Sequence, residues 1–368
     1  MSGGAPSIAD AGRVRPEESP MTRLLLAFSA AFLLAGSADA AQRTFVSTNG
    51  TDASTLCSLA SPCRSFGKAL TATDADGEII VLDSGGYGRV TIDRSISIIA
   101  PPGIYAGISV FTGTNGIDIN TPGVKVALRG LFINGQGGNF GINFLGGAEL
   151  HIDACTISNM ASTGLNAGAG SVYVHDSLIR NGSAQGVFAS NTSLQIDRTR
   201  VEANASDGLD VTMTAQAQVR DSVIAHNGAG GITVAAGPLT RLDVDNTTIS
   251  ANGQSGVVVS ATSPNKAEAT ISRSTIARNG STGSFDGVIV DGNNAHLSIT
   301  DSTVTGNYGE GITAESGATV VVSNNIVTKN ALHGFFIVLS TFKSRGNNTV
   351  EDNFGGPSSG TITPIGGL

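Results

Sequence analysis

The sequence contains no tryptophan, is only 14% charged, and has just five lysines among those charges. With a formal charge of −8, it lacks the basic patch needed to hold a phosphate backbone or an anionic membrane surface, so nucleic acid is not an expected partner. Long helical periodicity is missing too, because no helix of ten residues fits between the short apolar runs of the main body. Low charge does not imply disorder here, since 40% hydrophobic residues and 49 glycines suit an all-β repeat with a thin core. Cysteine is scarce, at three residues. Cys57 and Cys63 bracket a Ser-Leu-Ala-Ser-Pro loop and are expected to pair in an exported chain, with free thiols as the alternative. Cys155 has no second thiol nearby in sequence and reads as packing.

What is present is one phrase repeated with different words. It ends on an aliphatic residue that recurs at Ile157, Ile179, Val201, Ile224, Ile249, Ile276, Val304, Val327 and Val350, a spacing of 22 to 28 residues. Such a period marks a solenoid. An asparagine follows each time, as at Asn159, Asn181, Asn204, Asn227 and Asn252, and then a glycine-led strand: Gly141-Ile142, Gly164-Leu165, Gly186-Val187, Gly208-Leu209 and onward to Gly334-Phe335. Each turn thus holds three short runs with alternating polarity, separated by Gly, Asn, Asp and Ser. A leucine-rich repeat is set aside, because its Leu-x-x-Leu-x-Leu phrase and helical half are absent. The expected fold is an all-β parallel solenoid with three strands per coil and about eleven coils.

One coil cannot bury its apolar face alone, so coils stack at about 4.8 Å per layer and like residues fall on like. Aliphatic columns then form the core. The column Cys155, Ser177, Thr199, Ser222, Thr247, Ser274, Ser302 and Asn325 is placed to pass hydrogen bonds along the axis, and the recurrent asparagines suit a left-handed turn with stacked amides.

The segments follow in order. Residues 1–20 read as a leader or a misassigned start. Residues 21–40 resemble a secretory signal peptide, with Met21-Thr22-Arg23, the apolar run Leu24 to Ala35 and a small-x-small site ending at Ala40. That run is too short to span a bilayer, so no membrane span is expected after cleavage, and the location is secreted or periplasmic. Residues 41–77 form an N-terminal cap with a short helix around Phe66, Ala69 and Leu70, residues 78–354 the solenoid, and residues 355–368 a flexible tail. Longer insertions fall at Ser260–Lys266 and Ser281–Phe285, and such insertions map to loops on one face.

With its Ser61-Pro62-Cys63-Arg64-Ser65-Phe66 phrase, its Glu78 to Tyr87 entry and its repeat, the chain resembles the right-handed parallel β-helix proteins of the pectin-lyase-like superfamily, in particular the secreted bacterial type. The resemblance covers about residues 44 to 354. It implies a right-handed solenoid and a surface that meets an extracellular polysaccharide, on which an enzyme of this kind would be a lyase or a glycoside hydrolase. The polygalacturonase-like phrases (Asn-x-Asp, Asp-Asp, Gly-His-Gly, Arg-Ile-Lys) and the Trp-x-Asp-His phrase of pectate lyases do not occur here, which argues against a catalytic role.

The residue between the two aliphatics of each glycine-led strand should face outward. The column Asn143, Asn166, Phe188, Asp210 and Thr233 is therefore the expected substrate-binding face, and Asp210 is its one carboxylate where glycoside hydrolysis needs two. Further along, Val258, Ile289 and Phe336 make an apolar stripe. An adhesin-like or structural module docking through that stripe is the alternative to polysaccharide binding. His151, His226, His296 and His333 fall in different phases of the repeat, and His175 beside Asp176 points away from it on a strand, so no metal set and no cofactor is implied.

Overall fold

A computed structural model describes residues 1–4 and 41–366, apart from residues 236 and 282. The leader, beyond its first four residues, and the signal segment lie outside the described residues.

From Ala41 onward the chain winds into three parallel sheets, of 14, 12 and 12 strands. Each coil gives one strand to each in turn: Glu149–Asp153 to the 14-stranded long sheet, Thr156–Ser158 to a middle sheet, and Leu165–Ala167 to the glycine-led sheet. Every strand pair is parallel and joins equivalent residues of adjacent coils, as with Leu150 to Val172 and Ile157 to Ile179. Twelve strands in each of two sheets agree with the expected coil count. The stacking continues past residue 354, where Gly356–Ser359 pairs with His333–Ile337 and Thr363–Pro364 with Thr341–Ser344.

Alternation decides what is inside. The columns through Leu150, Ile157 and Leu165 are buried while their neighbours along each strand are not. Corners are narrow, and the leading glycines are what make them so. A Cβ on Gly208 would lie 2.4 Å from Ile224 Cγ2 and 2.7 Å from Asn227 Nδ2, closer than any side chain allows.

Two buried polar columns tie the coils together. In the first, each backbone N–H is capped by the next side-chain oxygen, with Ser177 N to Thr199 Oγ1 at 3.2 Å, Thr199 N to Ser222 Oγ at 3.1 Å and, at the far end, Ser302 N to Asn325 Oδ1 at 3.0 Å. The second is an amide ladder through Asn204, Asn227, Asn252, Asn279, Asn307, Asn330 and Asn353, whose Nδ2 to Oδ1 steps run from 2.8 to 3.1 Å. The sequence reading assigned the left-handed turn to these asparagines; the structure gives it to the residue before each one. Ala203, His226, Ala251, Arg278, Gly306, Lys329 and Asp352 all have φ between 54° and 64°. Burying the amide satisfies several groups at once, which outweighs the roughly 1–2 kcal/mol cost of a left-handed non-glycine corner. Asn159 and Asn181, in shorter corners, are themselves left-handed.

At the N-terminal end the helix Phe66–Ala72 buries Phe66, Ala69, Leu70 and Ala72, and Ser65 caps it by accepting from Lys68 N. Cys57 and Cys63 form a disulfide with Cα atoms 4.8 Å apart. Cys155 is a buried free thiol, and burial pushes its pKa up to about 12.

Candidate functional site

On the glycine-led sheet, Asn143, Asn166, Phe188, Asp210 and Thr233 sit side by side in consecutive coils. Their polar groups mostly engage one another. Asn143 Nδ2 donates to Asp118 Oδ1 at 3.0 Å, and Asn166 Nδ2 donates to Asn143 Oδ1 at 2.8 Å. Asp207 Oδ1 accepts from Gly230 N at 2.6 Å. Burial pushes the Asp210 carboxyl up to about 6, and the neighbouring Asp207 charge adds to the shift. Val258 and Ile289 continue the column half-buried, Thr313 is fully buried, and Phe336 stacks on His333 with ring centroids 5.9 Å apart.

Asp210 is not the only acid on this sheet edge. The residue immediately before each leading glycine forms a second column, and it contains Asp207, Asp286, Glu310 and His333. Asp286 Oδ1 accepts from Glu310 N at 2.8 Å, and Glu310 in turn accepts from His333 N and lies 3.3 Å from its Nδ1. Burial pushes Asp286 up to about 6, against the hydrogen bond from Glu310 N. This group stands directly after the Ser281–Phe285 insertion. The signal was three positions before the column chosen in the sequence, on the far side of the glycine.

The long sheet carries a different surface. Shallow depressions follow one another along it, the first lined by Asp76, Ser97, Lys125, Ala127 and His151. Next come His175, Gln195, Asp197, Gln218 and Arg220, and then Asp243, Asp245, Thr270 and Arg273. Within this run His151 and Tyr173 are ladder partners whose rings stack at 4.6 Å with planes 12° apart. The stack covers one face of each ring, and His151 lines the first depression. Lys125 Nζ binds Glu149 Oε1 at 2.7 Å, and His151 Nε2 lies 3.7 Å from the same carboxylate. The bond to Lys125 holds Glu149 below the usual carboxylate range. Imidazole, phenol, ammonium and carboxylate thus meet within three coils, a set able to hydrogen-bond sugar hydroxyls and to move protons. The sequence signal was the middle residue of Leu150-His151-Ile152 and of Val172-Tyr173-Val174, which share a column, whereas the histidines were compared only with each other.

Among the described residues no group of three or more His, Cys, Asp or Glu is placed to hold a metal ion, and no helix is long and apolar enough to cross a membrane.

Several solved structures share the fold. The A-module of the Azotobacter vinelandii mannuronan C-5 epimerase AlgE6 superposes with a TM-score of 0.58 at 16% identity, over 79% of this chain and 91% of that one. The periplasmic alginate epimerase AlgG gives 0.50 at 15% identity over 78% and 77%. The catalytic unit of a GH87 α-1,3-glucanase from Streptomyces thermodiastaticus gives 0.51 at 14% over 81% and 66%. No curated protein matches the sequence. The family model for the right handed beta helix region matches residues 75–216, 115–270 and 211–360. Those overlapping matches take in more than half of the chain, which therefore belongs to the right-handed β-helix family, with a pectin-lyase-like solenoid.

Proposed function

We propose that this protein works outside the cytoplasm and binds a polysaccharide along the groove of the long sheet. The observation that carries the reading is the His151–Tyr173 stack beside Lys125 and Glu149, with His151 and Lys125 lining the first of a run of depressions. A polymer lying along the axis meets a new set of side chains about every 4.8 Å. Gln195, Gln218, Asp243 and Thr270 supply amide, carboxylate and hydroxyl partners further along. The glycine-led column Asn143, Asn166, Phe188, Asp210 and Thr233 ranks second as a contact face, because its amides and carboxylates are already engaged with each other. Support also comes from the three similar structures, which are an epimerase of mannuronan, an epimerase of alginate and a glucanase. The signal-like segment and the Cys57–Cys63 disulfide fit export.

The test is retention on immobilised polysaccharides of differing charge, with product analysis in parallel, since the imidazole and phenol could exchange a proton with a bound sugar. His151→Ala and Tyr173→Ala should each weaken retention by on the order of tenfold. Wild-type retention by both variants, or no retention of any polymer, overturns the proposal.

A second reading is favoured by one observation. Phe285, Tyr308, Leu332 and Phe354 stand exposed at one corner of consecutive coils, while the anticipated stripe of Val258, Ile289 and Phe336 is half-buried. Exposed apolar side chains in a row suit an adhesin-like contact. If that is their role, light scattering shows self-association or partner binding that Phe354→Asp abolishes.

A further inference from the structure

The middle sheet has a depression of its own, on a different face from the groove. It is lined by Tyr105, Phe132, Leu178, Asn134, Asn159 and Arg180, with Thr156 and Ser158 between them. Its floor has a simple cause. Gly107 lacks a side chain in the outward column, and the Tyr105 ring folds into the space, so that a Cβ on Gly107 would lie 2.7 Å from Tyr105 Cε1. Phe132, the ladder partner of Gly107, follows in the next layer with its ring centroid 4.9 Å from that of Tyr105. Thr156 and Leu178 complete the strip.

Beside this apolar strip runs a polar row. Asn134, Ser158 and Arg180 are ladder partners in consecutive coils, and Asn159 Nδ2 donates to Asn134 Oδ1 at 2.6 Å. Arg180 is exposed and takes part in no ion pair among the described residues. Its ladder partner is Glu202, but that carboxylate binds Arg200 at 2.5 Å instead. The depression therefore holds one unneutralised guanidinium above a half-exposed aromatic floor, with amides and hydroxyls along one side.

We propose that this depression is a second, separate binding site for a carboxylated sugar, a uronate residue, of the polymer bound in the groove. The ring C–H face would lie on Tyr105 and Phe132, the carboxylate would take the fork of Arg180, and the hydroxyls would meet Asn134 and Asn159. A neutral sugar leaves the guanidinium unanswered, which makes the site selective for charge. The proposal rests on the polysaccharide reading given above, yet places its ligand on another sheet.

The experiment is calorimetric titration of the full chain with trisaccharides of galacturonate, mannuronate and guluronate, and with maltotriose as the neutral control. Arg180→Gln, Phe132→Ala and the control Arg345→Gln, which removes an exposed cation outside both sites, are compared after melting curves show that each is folded. The expected result is that at least one uronate trimer binds and maltotriose does not. Arg180→Gln and Phe132→Ala should each weaken that binding by on the order of tenfold or more, and Arg345→Gln should leave it unchanged. Wild-type affinity in both Arg180→Gln and Phe132→Ala overturns the second site. So does the absence of trimer binding in a protein that still retains long polymer through His151, an outcome that leaves the groove reading intact. If the Arg180 and Phe132 variants lose the trimer while polymer retention is indifferent to His151 and Tyr173, the second site stands and the groove reading falls.

Discussion

Asn279→Ala is the sharpest perturbation of the scaffold. The Asn279 amide makes four buried contacts: its Oδ1 accepts from Asn252 N at 3.1 Å and from Asn252 Nδ2 at 2.9 Å, and its Nδ2 donates to Asn307 Oδ1 and Ile249 O, both at 3.1 Å. Alanine leaves two buried donors on Asn252 without an acceptor. At about 1–3 kcal/mol for each orphaned group, the loss should be about 2–6 kcal/mol, with the low end reached if a water enters the vacated space. The control is Arg200→Ala, which removes only an exposed ion pair with Glu202 and should change stability by about 0.5 kcal/mol or less. Urea unfolding gives the global midpoint. A stacked array need not unfold in one step, so amide exchange at Asn252 is followed as the local readout. Asn279→Asp separates the two halves of the contact, because it keeps an acceptor for Asn252 but sets a carboxylate against Ile249 O and Asn307 Oδ1. It should be worse than alanine at neutral pH and recover on acidification. If Asn279→Ala unfolds at the same urea concentration as Arg200→Ala with the Asn252 amide still protected, the ladder is not what holds the coils.

Other expectations can be checked more quickly. Asp286 and Asp210 are both pushed up to about 6, so each folded carboxyl binds its proton more tightly than in the unfolded chain. The stability they confer is present below about pH 4 and is lost as pH rises through 6. Asp286→Asn, which keeps the acceptor for Glu310 N, should therefore raise the melting temperature at pH 8 relative to the parent, with the gain gone by pH 4; an equal gain at both pH values would refute the shift. Gly256→Ala places a Cβ 2.6 Å from Gly287 O and 2.7 Å from Asn279 Nδ2, and should cost about 1–3 kcal/mol by urea denaturation. Removing the disulfide with a Cys57→Ser, Cys63→Ser double variant opens a loop of sequence separation 6 and should destabilise the N-terminal cap by about 2 kcal/mol, read from exchange of the Phe66–Ala72 amides.

The scaffold was readable because stacking copies each decision from coil to coil. Ile157, Ile179 and Val201 repeat one inward position, and a single aliphatic pattern seen many times fixes register far more firmly than any one strand could. The corner was misread for the opposite reason. In sequence, Asn204 and Ala203 look like a special residue and a filler, but only the coordinates show that the filler bends and the asparagine is buried. The acids at Asp207, Asp286 and Glu310 were missed because a glycine and an aliphatic residue separate them from the column inspected, and the corner the glycine makes brings both columns to one edge. The groove was invisible for a further reason. Depth on a sheet face depends on how long side chains on three neighbouring columns lean, and Lys125, His151 and Tyr173 come from three different phrases. Arg180 shows the same limit, since its lack of a partner depends on Glu202 turning to Arg200.

The left-handed corner before each ladder asparagine has a practical meaning. Alanine, histidine, arginine, glycine, lysine and aspartate all occupy it, so the position tolerates almost any side chain while the buried amide behind it keeps the geometry constant. Successive corners come about one strand spacing apart. The molecule thus carries a graduated scale on one edge, to which a dye, a sugar or a cysteine could be fixed at chosen marks without disturbing the winding beneath.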